Sequence, residues 1–368
     1  MSSFSQPDTD LVVPAFDVRA LARRAAVPAG LAAAAATAIV VAGGPLHAFA
    51  HALKRALDAD PRWVVAGAVF ELLSFAGYVA LLWLVGSRAT KRLGLRESTE
   101  VTLGGAAATR LLPTAGVGGA ALTLWALRRT GMGARGATRT LLAFLVVLYS
   151  VFLTAIAVSG GLIALGVTAG DGPPALSAIP AAAATLAIAG ALALGARRPR
   201  TPVRAGRLYA AADVFGAGVR DAIAHVRSAD PRLLGAVAWW TFDASVLWAM
   251  LHAFGSPPPL AVVVLAYFVG QVGNTIPIPG AVSGGIVGVL VAFAVPADLA
   301  LVSVLAYRAI AIWLPAPIGL VALGSLRRTI ARWGREDGAS RPSEPAPSRT
   351  PAARTPRPCT EPALQLAA

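Results

Sequence analysis

Charge is scarce in this sequence. Only 14% of its 368 residues are Asp, Glu, Lys or Arg, against the roughly 25% usual in soluble domains. Together with 56% hydrophobic residues and a mean hydropathy of +0.67, that deficit excludes an ordinary soluble globular class. Cysteine and histidine are scarcer still. One Cys, Cys359, and four His supply neither a disulfide framework nor a Cys/His metal cluster, so no metal and no cofactor is expected. Acidic residues are also few, 18 against 32 Lys and Arg, for a net charge of +14. The basic excess falls in loops between apolar runs, the pattern of loops facing an anionic cytoplasmic leaflet. Nucleic acid is therefore not an expected partner. No nucleotide-binding motif is present.

What the sequence has is apolar length. Runs at 26–46, 63–85, 140–166, 178–196, 233–254 and 298–324 are each long enough to cross a bilayer core of about 30 Å at 1.5 Å per residue. The sequence thus predicts an all-α polytopic membrane protein. Two further apolar stretches are interrupted. The first, 101–127, is broken by Pro113, Gly116, Gly118 and Gly119; the second, 260–295, by Pro277, Pro279, Gly280, Gly284 and Gly285. Halves of about 11 residues in the first cannot each span, which predicts a re-entrant hairpin. Halves of about 15–17 in the second suit hairpin arms or short tilted spans. Six spans plus two hairpins, or eight spans, both fit the charges. Segments 1–25, 86–100, 128–139, 197–232 and 327–368 carry 27 of the 32 Lys and Arg, which places them and both termini in the cytoplasm. Arg19, Arg23 and Arg24 imitate the start of a signal peptide, but the apolar run that follows exceeds the usual 7–15 residues, so it is expected to stay as a span. The tail at 327–368, rich in Pro, Ser, Thr and Arg, is expected to be disordered.

The two halves resemble each other. Asp60-Pro61-Arg62 opens the second span and Asp230-Pro231-Arg232 the fifth, 170 residues later. Each is followed by a Trp-containing apolar helix with one acid, Glu71 or Asp243. Pro113 to Gly119 and Pro279 to Gly285 share Pro-x-x-x-x-Gly-Gly at an offset of 166. A segment with His and basic residues precedes each Asp-Pro-Arg, at 47–59 and 214–229. The charge pattern puts Asp60 outside and Asp230 inside, so the expected repeats, about 26–166 and about 178–324, have opposite orientation within a membrane domain at 26–326. Inverted repeats with broken helices characterise transporters whose substrate site lies between the repeats.

Four charges lie within apolar runs: Glu71, Arg110, Asp243 and Arg308. Charges at this depth are costly and usually face a bundle interior or a hydrated cavity. Arg110 and Arg308 are the candidates for a lipid headgroup, because a guanidinium fork binds phosphate oxygens in pairs. Glu71 and Asp243 would share their cavity, and Gln271 and Asn274, on the arm before Pro277, would hydrogen-bond the headgroup. The broken-helix glycines offer backbone N–H groups to an anion or simply allow close packing. Two structural ion pairs remain the plainer reading of the four charges. No catalytic residue is assigned.

The stretch Thr109 to Gly119 with downstream Leu124-Trp-Ala-Leu-Arg128-Arg129-Thr-Gly131, and Pro277-Ile-Pro-Gly280 through Tyr307-Arg308 to Trp313-Leu-Pro315, resemble the transmembrane region of lysylphosphatidylglycerol synthases. The resemblance covers about 26–330. Bacterial stand-alone relatives of this region are called flippase-like membrane proteins. In the complete synthase a cytosolic aminoacyltransferase domain makes the lipid. The resemblance therefore implies a non-enzymatic translocator of a phospholipid or lipid-linked intermediate in the bacterial plasma membrane. Its expected partners are membrane phospholipids with anionic headgroups and a separate lipid-modifying enzyme. A non-catalytic scaffold for such an enzyme is the alternative. A polytopic membrane enzyme is less well supported, because the outer loops after the first are short and hold a single acid, Asp171.

Overall fold

The computed structural model describes residues 59–111, 117–170, 172–197, 207–275, 278 and 280–339. The expected first span at 26–46, the segment before residue 59, Pro113, Gly116, Asp171, Pro277, Pro279, residues 340–368 and the side chain of Arg110 lie outside these described residues. Among the described residues, all regular structure is helical: α1 (Pro61–Ala89), α2 (Leu95–Leu111), α3 (Val117–Arg129), α4 (Ala134–Ala164), α5 (Pro174–Ala196), α6 (Arg207–Arg227), a 3₁₀ turn (Pro231–Leu233), α7 (Leu234–Phe254), α8 (Leu260–Gln271), a second 3₁₀ turn (Val272–Thr275), α9 (Ala281–Ala292), α10 (Ala297–Trp313) and α11 (Pro315–Ala339). Five segments are long and apolar enough to cross a membrane: Pro61–Ala89, Ala134–Ala164, Pro174–Ala196, Pro231–Phe254 and Ala297–Glu336. The protein is a multi-pass membrane protein.

The repeated triplets build the same helix start twice. The Asp60 carboxylate accepts the N–H of Arg62 at 2.9 Å and that of Asp230 accepts the N–H of Arg232 at 3.0 Å. In each case Pro follows at the first helical position, where its missing N–H costs nothing. The two helices they open, α1 and α7, pack antiparallel along most of their lengths. Asp60 N–H donates to the Ala253 carbonyl at the end of α7, 3.1 Å away. At the other end Arg88 of α1 reaches Asp230 at 3.4 Å. Where the start of α7 crosses the middle of α1, a Cβ added to Gly235 would lie 2.3 Å from the Gly77 carbonyl oxygen, so two glycines let the backbones touch.

Both interrupted stretches fold back as antiparallel pairs. In α2/α3, a Cβ on Gly105 would sit 3.4 Å from the Gly119 Cα; in α8/α9, one on Gly285 would sit 3.1 Å from the Gly270 Cα. Thr109 ties the first pair by accepting the Gly119 N–H at 2.7 Å while donating to the Gly105 carbonyl at 2.9 Å. At the tip of the second, Gly280 adopts φ 84° before α9 begins, a conformation that side chains disfavour. Arms of 12 to 17 residues rise only about 18–26 Å as helix, short of a bilayer core. Their lengths accordingly favour hairpins over full spans.

Each hairpin packs against the closing helix of the other half. Phe152 of α4 meets Phe268 of α8 with ring centroids 5.2 Å apart, while a Cβ on Gly319 of α11 would lie 2.6 Å from the Leu103 carbonyl of α2. That second interface moves one expected boundary. Residues 327–339, expected as part of the tail, belong to α11. The buried Glu100 of α2 accepts hydrogen bonds from Ser325 at 2.6 Å and Thr329 at 2.8 Å, Trp333 is buried and Arg332 lies 3.7 Å from Glu97. Those contacts hold the basic stretch helical past the apolar run.

Candidate functional site at the α1/α7 crossing

Three contacts fix the register of α1 on α7. Phe70 stacks on Phe242 at 6.0 Å, the Ser74 hydroxyl donates to the Trp239 carbonyl at 2.9 Å, and Gly77 faces Gly235. This register puts Glu71 at the same level as Asp243, near the middle of both helices. Glu71 is 0% exposed and Asp243 3% exposed. The two acids singled out from sequence are thus neighbours in depth, one from each half.

Asp243 is held by phenols. Both the Tyr267 hydroxyl of α8 and the Tyr307 hydroxyl of α10 donate to its Oδ2, the latter at 3.3 Å. Its Oδ1 is buried with no hydrogen-bond partner among the described residues. From there a polar chain continues outward. Gln271 Nε2 donates to the Tyr307 oxygen at 3.0 Å, and Asn274 Nδ2 donates to Gln271 Oε1 at 3.4 Å. Gln271 is buried while Asn274 is exposed, beside the tip of the α8/α9 hairpin. The chain therefore runs from a carboxylate in the bundle interior to the surface where the helix breaks.

Of the residues predicted from sequence, Asp243, Gln271 and Asn274 are joined by these bonds, and Glu71 lies across the helix pair. Arg308 is half-buried on α10, next in sequence to Tyr307, and makes no hydrogen bond or ion pair among the described residues. Gly118 and Gly119 lie in the first turn of α3, Gly280 and Gly285 shape the second hairpin, and Gly284 faces open space. No described ion pair links either acid to Arg308. Sequence reasoning missed Tyr267 and Tyr307. Their signal was there: Tyr267 and Gln271, four apart, fall on one helical face, and a buried tyrosine hydroxyl needs a partner.

A second polar cluster occupies the C-terminal end of α1. Arg232 and, more distantly, Arg88 pair with Asp230, at 2.8 and 3.4 Å; Arg232 also lies over the Trp83 ring at 4.7 Å. These partners, the Arg232 side chain first, hold the Asp230 carboxyl well below the usual carboxylate range. Arg139 pairs with Asp221, and Arg220 donates to the carbonyls of Gly195 and Arg197 at the end of α5, both at 3.2 Å.

Among known families, the model described as the lysylphosphatidylglycerol synthase TM region matches residues 21–319. A search of curated proteins finds no match to the chain.

Proposed function

Because the chain belongs to the family of the lysylphosphatidylglycerol synthase transmembrane region, we propose that it translocates a phospholipid or lipid-linked intermediate across the bacterial plasma membrane, with both termini cytoplasmic and without a covalent step. The observation that carries this reading is the polar chain Asp243, Tyr307, Gln271, Asn274. It gives a headgroup a line of hydrogen-bonding groups leading from the surface into an apolar bundle. Arg308, half-buried and with no described partner, supplies a fork for phosphate oxygens on the same helix as Tyr307. Anionic headgroups are the expected cargo.

With Glu71 and Asp243 this deeply buried, the arrangement described is a closed one. Opening requires one hairpin to part from the α1/α7 pair. The α8/α9 hairpin is the candidate, since Tyr267 and the Gln271 to Asn274 segment both lie on it. Parting it would expose Asp243 and separate the polar chain, and closing it on a headgroup would restore the chain through the ligand.

The test is a scrambling assay in reconstituted vesicles with fluorescent anionic and zwitterionic phospholipids, comparing the wild type with Asp243→Asn. The expected outcome is wild-type translocation that favours the anionic lipid and slows at least tenfold in the variant. A well-folded variant with unchanged rates refutes the role of Asp243, and a wild type without translocation refutes the reading itself.

A further inference from the structure

A cavity of about 260 Å³ lies between the ends of three helices on the side that the basic loops mark as cytoplasmic. It is lined by Val85, Arg88 and Ala89 of α1, Thr140 and Ala143 of α4, and Asp221, Ala224 and His225 of α6. Arg88 lies 17 residues along α1 from Glu71, about 26 Å of helix rise. The cavity is therefore separate from the Asp243 chain. Its volume falls just below the range of small-molecule pockets and suits a headgroup-sized polar ligand.

The charges around the cavity do not cancel. Two carboxylates face it or border it, and each already has its own arginine: Asp221 is held by both Nε and Nη2 of Arg139, and Asp230 by Arg232 at 2.8 Å. The third arginine, Arg88, has no carboxylate of its own and shares Asp230 with Arg232. Arg88 reaches Asp230 only at 3.4 Å, and its Nη1 lies 3.2 Å from His225 Nδ1. A guanidinium only donates, so a hydrogen bond at this contact has Nδ1 of a neutral ring accepting and the proton on Nε2. Burial and then Arg88 push the His225 ring below its ordinary range, partly opposed by Asp221 and Asp230. Thr140 adds a hydroxyl. Arg88 and Asp221 line the cavity, while Arg139, Asp230 and Arg232 pair with them from outside its lining; three arginines against two carboxylates in this network, with one fork, one imidazole N–H and one hydroxyl at the cavity itself, describe an anion site.

We propose that this cavity binds the phosphate of a phosphate ester from the cytoplasmic side, with Arg88 as the principal ligand and His225 and Thr140 as further donors. The inference rests on the reading of the chain as a lipid-handling protein, but it concerns binding and not transport. A phosphate here would replace the long Arg88–Asp230 contact by a charge-assisted pair. It would also favour the imidazolium form of His225, so binding should tighten as pH falls through the histidine range. The other charged groups facing His225 are Arg88, Asp221 and Asp230, with their partners Arg139 and Arg232.

Calorimetric titration of the full chain in detergent tests this. The probes are dihexanoylphosphatidylglycerol, a phosphodiester whose charge is constant between about pH 8 and 6, and glycerol 3-phosphate. Tighter binding of the lipid identifies a headgroup from the inner leaflet, and tighter binding of glycerol 3-phosphate a soluble phosphate ester. In either case Arg88→Gln should weaken binding about tenfold or more, the loss of one charge-assisted hydrogen bond. Arg88→Gln also strips a partner from Asp230, so Ala224→Leu serves as the second variant. It fills the cavity without touching a charge and should abolish binding. Binding by neither probe, or wild-type affinity in a folded Ala224→Leu, overturns the proposal. An affinity that does not change between about pH 8 and 6 overturns the part given to His225. A protein that binds the probe yet moves no lipid overturns only the translocator reading.

Discussion

The bonds around Asp243 give a test in which two substitutions at one position should separate. Tyr267 is 0% and Tyr307 1% exposed, and both hydroxyls donate to the same oxygen. Asp243→Ala leaves both without that acceptor in the bundle interior, at about 1–3 kcal/mol each. Removing a carboxyl that was itself costly to bury offsets part of that loss. A net destabilisation of about 2–5 kcal/mol is expected. Asp243→Asn keeps an acceptor oxygen of the same reach and should cost about 1 kcal/mol or less. The pair is read by melting in detergent, followed by tryptophan fluorescence. A cycle with Tyr267→Phe sharpens it: if the hydroxyl's loss is what destabilises Asp243→Ala, the double variant should recover about 1–2 kcal/mol relative to additivity. An Asp243→Ala protein as stable as Asp243→Asn, or additive losses in the cycle, would refute the reasoning that these phenols depend on Asp243.

Three further outcomes follow from the same geometry. Arg308→Lys keeps the charge of a half-buried residue with no described partner, so melting should hardly change while translocation of anionic lipid falls, because the two-pronged fork is lost; unchanged transport in a scrambling assay counts against a headgroup role. Gly285→Leu and Gly119→Leu should each loosen their hairpin, since an added Cβ would meet Gly270 at 3.1 Å and the Thr109 hydroxyl at 2.7 Å; a loss of about 1–3 kcal/mol in denaturant titration is expected, and wild-type stability would show that the arms are not held this closely. Asp230 is held below the usual carboxylate range by Arg232 and Arg88, so its contribution is present above the unfolded carboxyl value near 4 and is lost as pH falls through the lower folded value. The melting difference between wild type and Asp230→Asn should therefore be constant near neutrality and shrink below about pH 4; a difference that already shrinks between about pH 7 and 5 would contradict this.

What the sequence made legible was whatever local chemistry controls. The Asp-Pro-Arg helix starts follow from residues adjacent in the chain and appear where they were expected, and the arms flanking the two interruptions fold back on each other. Contacts between distant segments were less legible. Gly119 and Gly285 stood out through their shared Pro-x-x-x-x-Gly-Gly, yet the partners they pack on, Gly105 and Gly270, did not, although these are themselves 165 residues apart and repeat almost the same offset. The helical stretch at 327–339 resembled a tail because its support comes from Glu97 and Glu100, more than 200 residues earlier. Tyr267 and Tyr307 were passed over because a tyrosine in an apolar run is by default part of a core or an interfacial belt.

The position of the two acids has a geometric explanation. If the halves are equivalent at an offset of 170 residues, the register set by Phe70 on Phe242, Ser74 on Trp239 and Gly77 on Gly235 makes equivalent positions face each other only around residues 71 and 241–242. Everywhere else along α1 and α7, a residue faces the counterpart of a different one. An acid near that centre in each half is thus brought to the same level as the acid of the other half, and neither offers the other a counter-charge. Stabilisation must come from outside the pair, and at Asp243 it comes from hydroxyls on α8 and α10, one on a hairpin and one on a span. Any movement of that hairpin changes the hydrogen bonds of a buried carboxyl. On the translocator reading proposed above, that coupling would let the occupancy of a central site bias which side is open.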